Sequence, residues 1–477
     1  MQGESVKTIN HRKEIIRTFF HPVFPDDVSK QSMVSRIMKL FIPAALEHTL
    51  LQLTSMFDQI QVGGIGKEAL AAIGLSGQMR TFLTTVFIAV NVGVTAMIAR
   101  SVGQKNHERV VKLLRHGLVM TLVLSAIFSV VGYFVARPLL ILFNAPDETT
   151  LEMGVTYLRI LMLGFIPLAL TTTLTAALRG AGNTKLSLYY NIIANLVNIL
   201  FNWILINGKL GFPALGVAGA AIATVLGQLV AFVLAWYACF RKNNLFGITF
   251  RDLFGRFEKE QVSDIVSIGF PAMLEQGISR IGIMTYTAIV AGLGTTLYAT
   301  HVVCINIQLL TGILGFSTSV VATTMSGQSL GAERRDLAVL YPCVTGRISV
   351  WLSFILMAIF VFLGGPIISL YNSDPEIINA GIVPLRIIAI MQPLIALQYV
   401  MAGAMRGAGD TKAVAFYFTF GKIVCRPLFT YINVRFFGWG LNGAWIAHTL
   451  SEMICTAMLA YRFTSGRWMY AFRKRHA

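Results

Sequence analysis

The feature that most constrains this chain is a train of twelve long apolar runs, at 38–62, 72–98, 113–136, 151–176, 186–207, 215–240, 262–290, 298–325, 344–370, 378–404, 413–435 and 441–464. About twenty apolar residues carry a helix across the hydrocarbon core of a bilayer. Only helices and closed barrels satisfy every backbone polar group there. Barrel strands alternate in character over about ten residues, and stretches such as Leu118 to Val135 do not. The expected fold class is therefore an all-α integral membrane protein with twelve transmembrane helices. Composition agrees, with 55% hydrophobic and 13% charged residues, where soluble domains carry about 25% charged.

The net charge of +17 is placed, not spread. Of 39 Lys and Arg, 29 lie in the N-terminal segment, the tail and alternate loops: Arg100 to Arg115, Arg179 with Lys185, Arg241 to Lys259, Arg334 to Arg347, and Arg406 with Lys412. The opposite loops hold only Lys67, Arg137, Lys209 and Arg435. Basic loops stay on the cytoplasmic side, so both termini are expected there, in a multi-pass protein of the plasma or inner membrane. No basic run is interleaved with stacking aromatics, which argues against nucleic acid. Residues 1–40 show no charged-then-apolar-then-small pattern of a cleavable leader, so the first span is expected to direct insertion. The five cysteines are odd in number and none forms a C-x-x-C pair, so free buried thiols are expected.

The runs also repeat. Arg179-Gly-Ala-Gly-Asn-Thr-Lys185 returns as Arg406-Gly-Ala-Gly-Asp-Thr-Lys412, 227 residues later. Pro43-Ala-Ala-Leu-Glu47 returns at Pro271 to Glu275, Gly103-Gln104 at Gly327-Gln328, Leu142-Phe-Asn144 at Leu370-Tyr-Asn372, Leu158-Arg-Ile160 at Leu385 to Ile387, and Gly219-Ala220 at Gly443-Ala444. Offsets of 224 to 228 imply two pseudo-symmetric six-helix lobes, at 38–240 and 262–464. A cytoplasmic segment 1–37 precedes them, a linker 241–261 joins them and a basic tail 465–477 follows. Repeats of six spans share one orientation, as in transporters built from two halves. The glycine-rich heptad follows an apolar span and not a strand, so it is expected to be a helix-to-helix turn with its Arg and Lys at the inner surface, rather than a phosphate loop.

Ionisable and amide groups inside the spans are costly and mark function. Asp58 and Glu47 stand eleven residues apart on one face of the first span, about 16 Å along the axis. A carboxylate held in low dielectric can take a proton or ligate a hard cation. Asn191, Asn195, Asn198 and Asn202 form one stripe of the fifth span, lining a cavity or joining helices. In the second half Glu275 repeats Glu47, while Tyr286 replaces Asp58. Arg280 shares a face with Gln276. Glu47, Glu275, Tyr286 and Arg280 are candidates for substrate or proton binding, with capping of backbone amides near their prolines as the alternative for Glu47 and Glu275. Lys422 and Arg426 lie one turn apart in span eleven, as do His448 and Glu452 in span twelve. Lys422, Arg426 and Glu452 are expected to form a structural ion pair between adjacent helices, with proton relay or anion binding as the alternative. Arg159 and Arg386 are expected to snorkel. The chain carries no enzyme motif and no ATPase domain, so it is not expected to be an enzyme or to need a cofactor.

The paired loops Leu178 to Lys185 and Met405 to Lys412, Asp58 to Gly63 with Ala69 to Gly74, Gly103-Gln104, Tyr157 to Ile160, and Gly216 to Thr224 together resemble the multidrug and toxic compound extrusion (MATE) transporters. The resemblance runs from about 38 to 464, in order and twice over. It is to bacterial members with a glutamate in both the first and seventh spans. It implies a secondary antiporter exporting organic, often cationic, drugs in exchange for sodium or protons. It also implies a cation-linked role for Asp58, Asn198 and Thr224, with possible sodium at Asp58, Asn198 and Asn202. Asn202 stands where some members have aspartate, so this site carries one charge fewer. A monomer is expected. Alternatives are an exporter of a metabolite such as a flavin nucleotide, a flippase for a lipid-linked precursor, and a channel or receptor.

Overall fold

A computed structural model describes residues 2–142, 147–240, 246, 255–256 and 258–472, with side chains from residue 11 onward. Most of the expected linker, Phe143 and Asn144 of one repeat, and the end of the basic tail lie outside the described residues. Among the described residues there is no β-strand.

The helices are α1 Gln2–Phe20, α2 Lys30–Gly63, α3 Lys67–Gly103, α4 His107–Phe134, α5 Ala136–Leu142, α6 Glu148–Leu163, α7 Phe165–Gly180, α8 Thr184–Asn207, α9 Gly216–Phe240, α10 Lys259–Ala291, α11 Thr295–Gly331, α12 Arg335–Ser369, α13 Pro375–Gly407, α14 Thr411–Thr419, α15 Arg426–Tyr431 and α16 Gly440–Thr464. Each of the twelve expected spans has its helix or pair of helices. Seven are long and apolar enough to cross a membrane, and the bent pair α6–α7 makes eight. Of the others, α2, α10 and α16 hold intramembrane acids and basic residues that lower their hydropathy, and the eleventh span is divided into the short helices α14 and α15 by a π turn.

Two spans are interrupted. The fourth bends by 53° between α6 and α7. Pro167 cannot donate to the carbonyl of Leu163, so the break falls there. Gly164 fills the corner, where a Cβ would lie 2.7 Å from Val225 and Gln228 side-chain atoms. The eleventh span contains π-helical turns at Phe420–Cys425 and Ile432–Phe436.

The chain divides into two compact units, Ile42–Met273 and Met1–Phe41 with Leu274–Ala477. The divisions fall inside α2 and α10, beside Pro43 and Pro271. In the unit Ile42–Met273, Met79, Phe87, Leu158, Met162 and Phe165 centre the core, with the Phe87 and Phe165 rings 5.4 Å apart. The opening turns of α10 cross α3 through small residues on both helices. A Cβ on Gly93 would lie 2.3 Å from Ile265 O, and one on Gly269 would lie 1.6 Å from Ala89 O. Such close backbone approach needs glycine. Arg109 and Asp264 close the same crossing at 2.9 Å. Gly269→Ala is expected to lower stability by about 3 kcal/mol, whereas Gly277→Ala, with no atom within 4 Å of its new Cβ, is expected to be neutral; thermal unfolding in detergent compares them.

In the other unit, Met33, Ile37 and Leu40 of α2 pack on Val321, Met325 and Tyr341, and Ile15 and Phe19 of α1 on Phe463 and Trp468. A second core joins α10 to α13 and α16 through Val290, Ile307, Leu385 and Trp445. Composition gave no warning of α1 as an ordered helix.

The repeat extends to single contacts. Thr95 Oγ1 donates to Ala176 O at 2.9 Å, and Thr323 Oγ1 to Gly403 O at 3.0 Å. Arg159 Nε reaches Tyr133 O at 3.4 Å, and Arg386 Nε reaches Val361 O at 3.2 Å. These arginines therefore satisfy carbonyls of a neighbouring helix, a role that snorkelling alone does not describe. The heptads turn alike, with φ of 86° at Gly182 and 84° at Gly409, a left-handed conformation that glycine adopts without strain.

Candidate cation-coupling site

In the unit Ile42–Met273, α2 and α8 meet through two polar rungs. Glu47 and Asp58 stand eleven residues apart on α2, as do Asn191 and Asn202 on α8. Equal spacing on helices that run in the same direction brings both pairs into register, about 16 Å apart along the axis.

At the upper rung, Asn202 Nδ2 donates to Asp58 Oδ1 at 2.6 Å. Asn198, with its amide turned to suit its neighbours, donates to the same oxygen at 3.0 Å and accepts from the Thr224 N–H at 3.3 Å. Thr224 comes from α9, which approaches closely because Gly227 faces Asn198; a Cβ there would lie 3.1 Å from the Asn198 Cβ. Asn198 and Asn202 are buried and Asp58 half-buried. The structure thus gathers Asp58, Asn198, Asn202 and Thr224. The buried Asn202 Oδ1 has no hydrogen-bond partner among the described residues. An orphaned acceptor beside a carboxylate and a threonine hydroxyl is an all-oxygen donor set of the kind hard cations take, and the carboxylate can equally hold a proton. Arg80 of α3 lies near enough to act electrostatically on Asp58. The sequence reading missed it, although an arginine inside a span is itself a signal.

At the lower rung, Glu47 is 2% exposed. Arg179 Nη2 donates to it at 2.8 Å, Ser187 Oγ at 2.8 Å and Asn191 Nδ2 at 3.0 Å. In the second unit Arg406 Nη2 donates to the Glu275 oxygens at 2.8 and 3.1 Å. The arginines of both heptads therefore turn inward onto the repeated acids, against the expectation that they anchor at the surface. Val414 and Phe418 stand where Ser187 and Asn191 would repeat, and the Arg406 guanidinium lies 5.6 Å over the Phe418 ring.

The remaining candidates separate. Arg426 pairs with Glu452 and donates from Nε to Ser451 Oγ at 3.2 Å. Gln398 holds the other Glu452 oxygen at 2.9 Å. Lys422 is not in this pair; its Nζ lies 4.8 Å over Phe418. Tyr286 is buried and Arg280 is exposed. No group of three or more His, Cys, Asp or Glu suited to a metal occurs among the described residues. All five cysteines are free and buried.

Comparison with known proteins follows the same two-fold plan. The MatE family model matches residues 43–204 and again 271–432. The probable multidrug resistance protein NorM of Thermotoga maritima is 30% identical over 437 residues, covering 91% of this chain and 92% of that protein. The uncharacterized transporter YisQ of Bacillus subtilis is 23% identical over 91% of this chain and 94% of its own length. Among solved structures, a MATE protein in its bent conformation superposes with a TM-score of 0.85 at 22% identity, covering 93% of this chain and 97% of that one. An outward-facing multidrug resistance MATE transporter does so with 0.83 at 23% identity, covering 91% and 95%. The family match through both halves, on a frame of twelve spans in two lobes, places this chain in the MatE family, as a multi-pass membrane transporter and not an enzyme.

Proposed function

We propose that this chain is a secondary antiporter that exports organic, often cationic, compounds in exchange for sodium ions or protons, with Asp58, Asn198, Asn202 and Thr224 as the coupling site. The observation that carries the reading is the carboxylate of Asp58, held by two buried amides beside the unpartnered oxygen of Asn202. A cation bound there favours one conformation and expels substrate; its release on the other side resets the cycle. Only a difference in affinity between the two states can drive this. The proposed repeating units are 38–240 and 262–464, joined by 241–261, in a monomer of the plasma or inner membrane. The basic loops support cytoplasmic termini. Glu275, Tyr286 and Arg280 are the proposed substrate-side groups of the second half, and Glu47 that of the first.

A second reading, export of an anionic metabolite such as a flavin nucleotide, is favoured by Lys422, whose ammonium lies over an aromatic ring and has no carboxylate in salt-bridge range among the described residues. Proteoliposomes separate the readings. Ethidium accumulation under an imposed sodium or proton gradient, unaffected by flavin nucleotide, is the expected result. Flavin nucleotide transport without ethidium transport would reverse the choice, and equal downhill flux without counterflow would make the protein a channel.

A further inference from the structure

Helix α1 has two apolar faces, and only one of them is covered. Ile15, 4% exposed, and Phe19 turn inward onto Phe463 and Trp468. On the opposite face Lys13, Ile16, Arg17 and Phe20 follow at i, i+3, i+4 and i+7, which is one stripe of a helix. All four are exposed, Ile16 by 49% and Phe20 by 65%. Large apolar side chains grouped on an exposed face mark an interaction surface. Glu14 turns to His11 at 3.5 Å, which leaves Lys13 and Arg17 with no carboxylate in salt-bridge range among the described residues. The stripe is half apolar and half cationic.

Two contacts locate the helix. Near its start, His11 Cβ lies 3.7 Å from where a Cβ on Gly466 would stand, two residues past the span 441–464. At its end, Phe19 Cε2 lies 3.3 Å from the Cβ position of Gly346, the third residue of the span 344–370. Both are span ends that border basic segments. From His11 to Phe19, α1 therefore runs along the membrane boundary, from the end of one span to the beginning of another. Arg12 lies 4.1 Å over the exposed Tyr461 ring, an aromatic at the level where tyrosines collect. A helix held in that boundary, with basic and large apolar residues on its outer face, has the make-up of an interfacial helix.

We propose that the face of α1 made by Lys13, Ile16, Arg17 and Phe20 is a binding surface for anionic phospholipids of the cytoplasmic leaflet. Lys13 and Arg17 meet the phosphate-bearing headgroups, and Ile16 and Phe20 enter the upper acyl chains. Charge decides the occupant. A second copy of the chain, docked two-fold on this face, would set Lys13 and Arg17 against their own equivalents, whereas an anionic leaflet brings the opposite charge to both. Lipid held on the outer face keeps the inner face, Ile15 and Phe19, seated on Phe463 and Trp468, so the N-terminal segment is clamped to the unit that contains Leu274–Ala477. This surface is independent of the transport reading, because Asp58 and its neighbours take no part in it.

Full-length Ile16→Trp protein, one copy to a lipid nanodisc, puts an indole on the stripe. Its emission minus that of the unaltered protein, which has six tryptophans, reports that indole alone. Brominated acyl chains quench indole on contact. The discs contain phosphatidylcholine and phosphatidylglycerol, and an equal amount of bromine is carried by one lipid or the other. Brominated phosphatidylglycerol is expected to quench the difference signal about twice as strongly as brominated phosphatidylcholine. Lys13→Glu/Arg17→Glu in the same background is expected to remove the preference, as is about 0.5 M salt. Equal quenching by the two lipids with Lys13 and Arg17 intact, or a preference that survives their reversal, overturns the proposal. Quenching by neither lipid also overturns it, since the face then meets water or protein. If Ile16→Trp does not give a monodisperse protein, Phe20→Trp carries the same measurement with the same outcomes.

Discussion

Asp58→Asn is expected to bring gradient-driven efflux to background, a loss of about tenfold or more, while the protein still inserts and elutes as a single species. The substitution keeps the size of the side chain and removes one thing, its capacity to carry a charge that a proton or cation can neutralise. Asn202 and Asn198 both present N–H groups to Asp58 Oδ1, and the new amide can meet them with its own oxygen. Stability should therefore change by only about 1 kcal/mol. Asp58→Glu restores the charge on a longer arm and is expected to recover part of the coupling. Efflux of ethidium from loaded cells or proteoliposomes, with and without the gradient, measures both. Wild-type efflux in Asp58→Asn would sink the assignment.

Breaking the lower rung has a different consequence. Glu47→Gln takes from Arg179, 17% exposed at the side chain, the buried carboxylate to which it donates and is expected to cost about 3–5 kcal/mol. Glu275→Gln should do the same to Arg406, 16% exposed, with a somewhat larger loss, because no serine or asparagine there shares the load. The double variants Glu47→Leu/Arg179→Leu and Glu275→Leu/Arg406→Leu are expected to recover much of it, since a buried pair replaced by apolar groups is often neutral. Thermal unfolding of the single and double variants gives the coupling energy directly. Additive losses would show that the acids are not held by the heptad arginines.

What could be read from the sequence, and what could not, follows from the range of the forces involved. The twelve spans and the repeat were legible because bilayer burial and a 227-residue offset are written into residue order. The two faces were legible separately, as the eleven-residue spacing of Glu47 and Asp58 and the stripe of Asn191, Asn195, Asn198 and Asn202. Their pairing across α2 and α8 was not, because it depends on which helices pack together. The direction of Arg179 was hidden for another reason: counting basic residues fixes the side of the membrane but not whether a side chain points to water or to a buried acid. Lys422 and Arg426 were legible as residues one turn apart, but that only Arg426 meets Glu452 while Lys422 lies over Phe418 depends on which side chains the neighbouring helices present.

The central claim is that a cation at Asp58 and the exported substrate exclude one another. Linkage makes this measurable without transport, since each ligand must change the other's affinity by the same factor. Ethidium binding to the purified protein, titrated at rising sodium at fixed pH and at falling pH without sodium, tests it most directly. The expected result is an apparent affinity that falls by about fivefold or more with one of the two ions and stays flat in Asp58→Asn. An affinity that ignores both ions in the unaltered protein, or that responds equally in Asp58→Asn, would contradict the account.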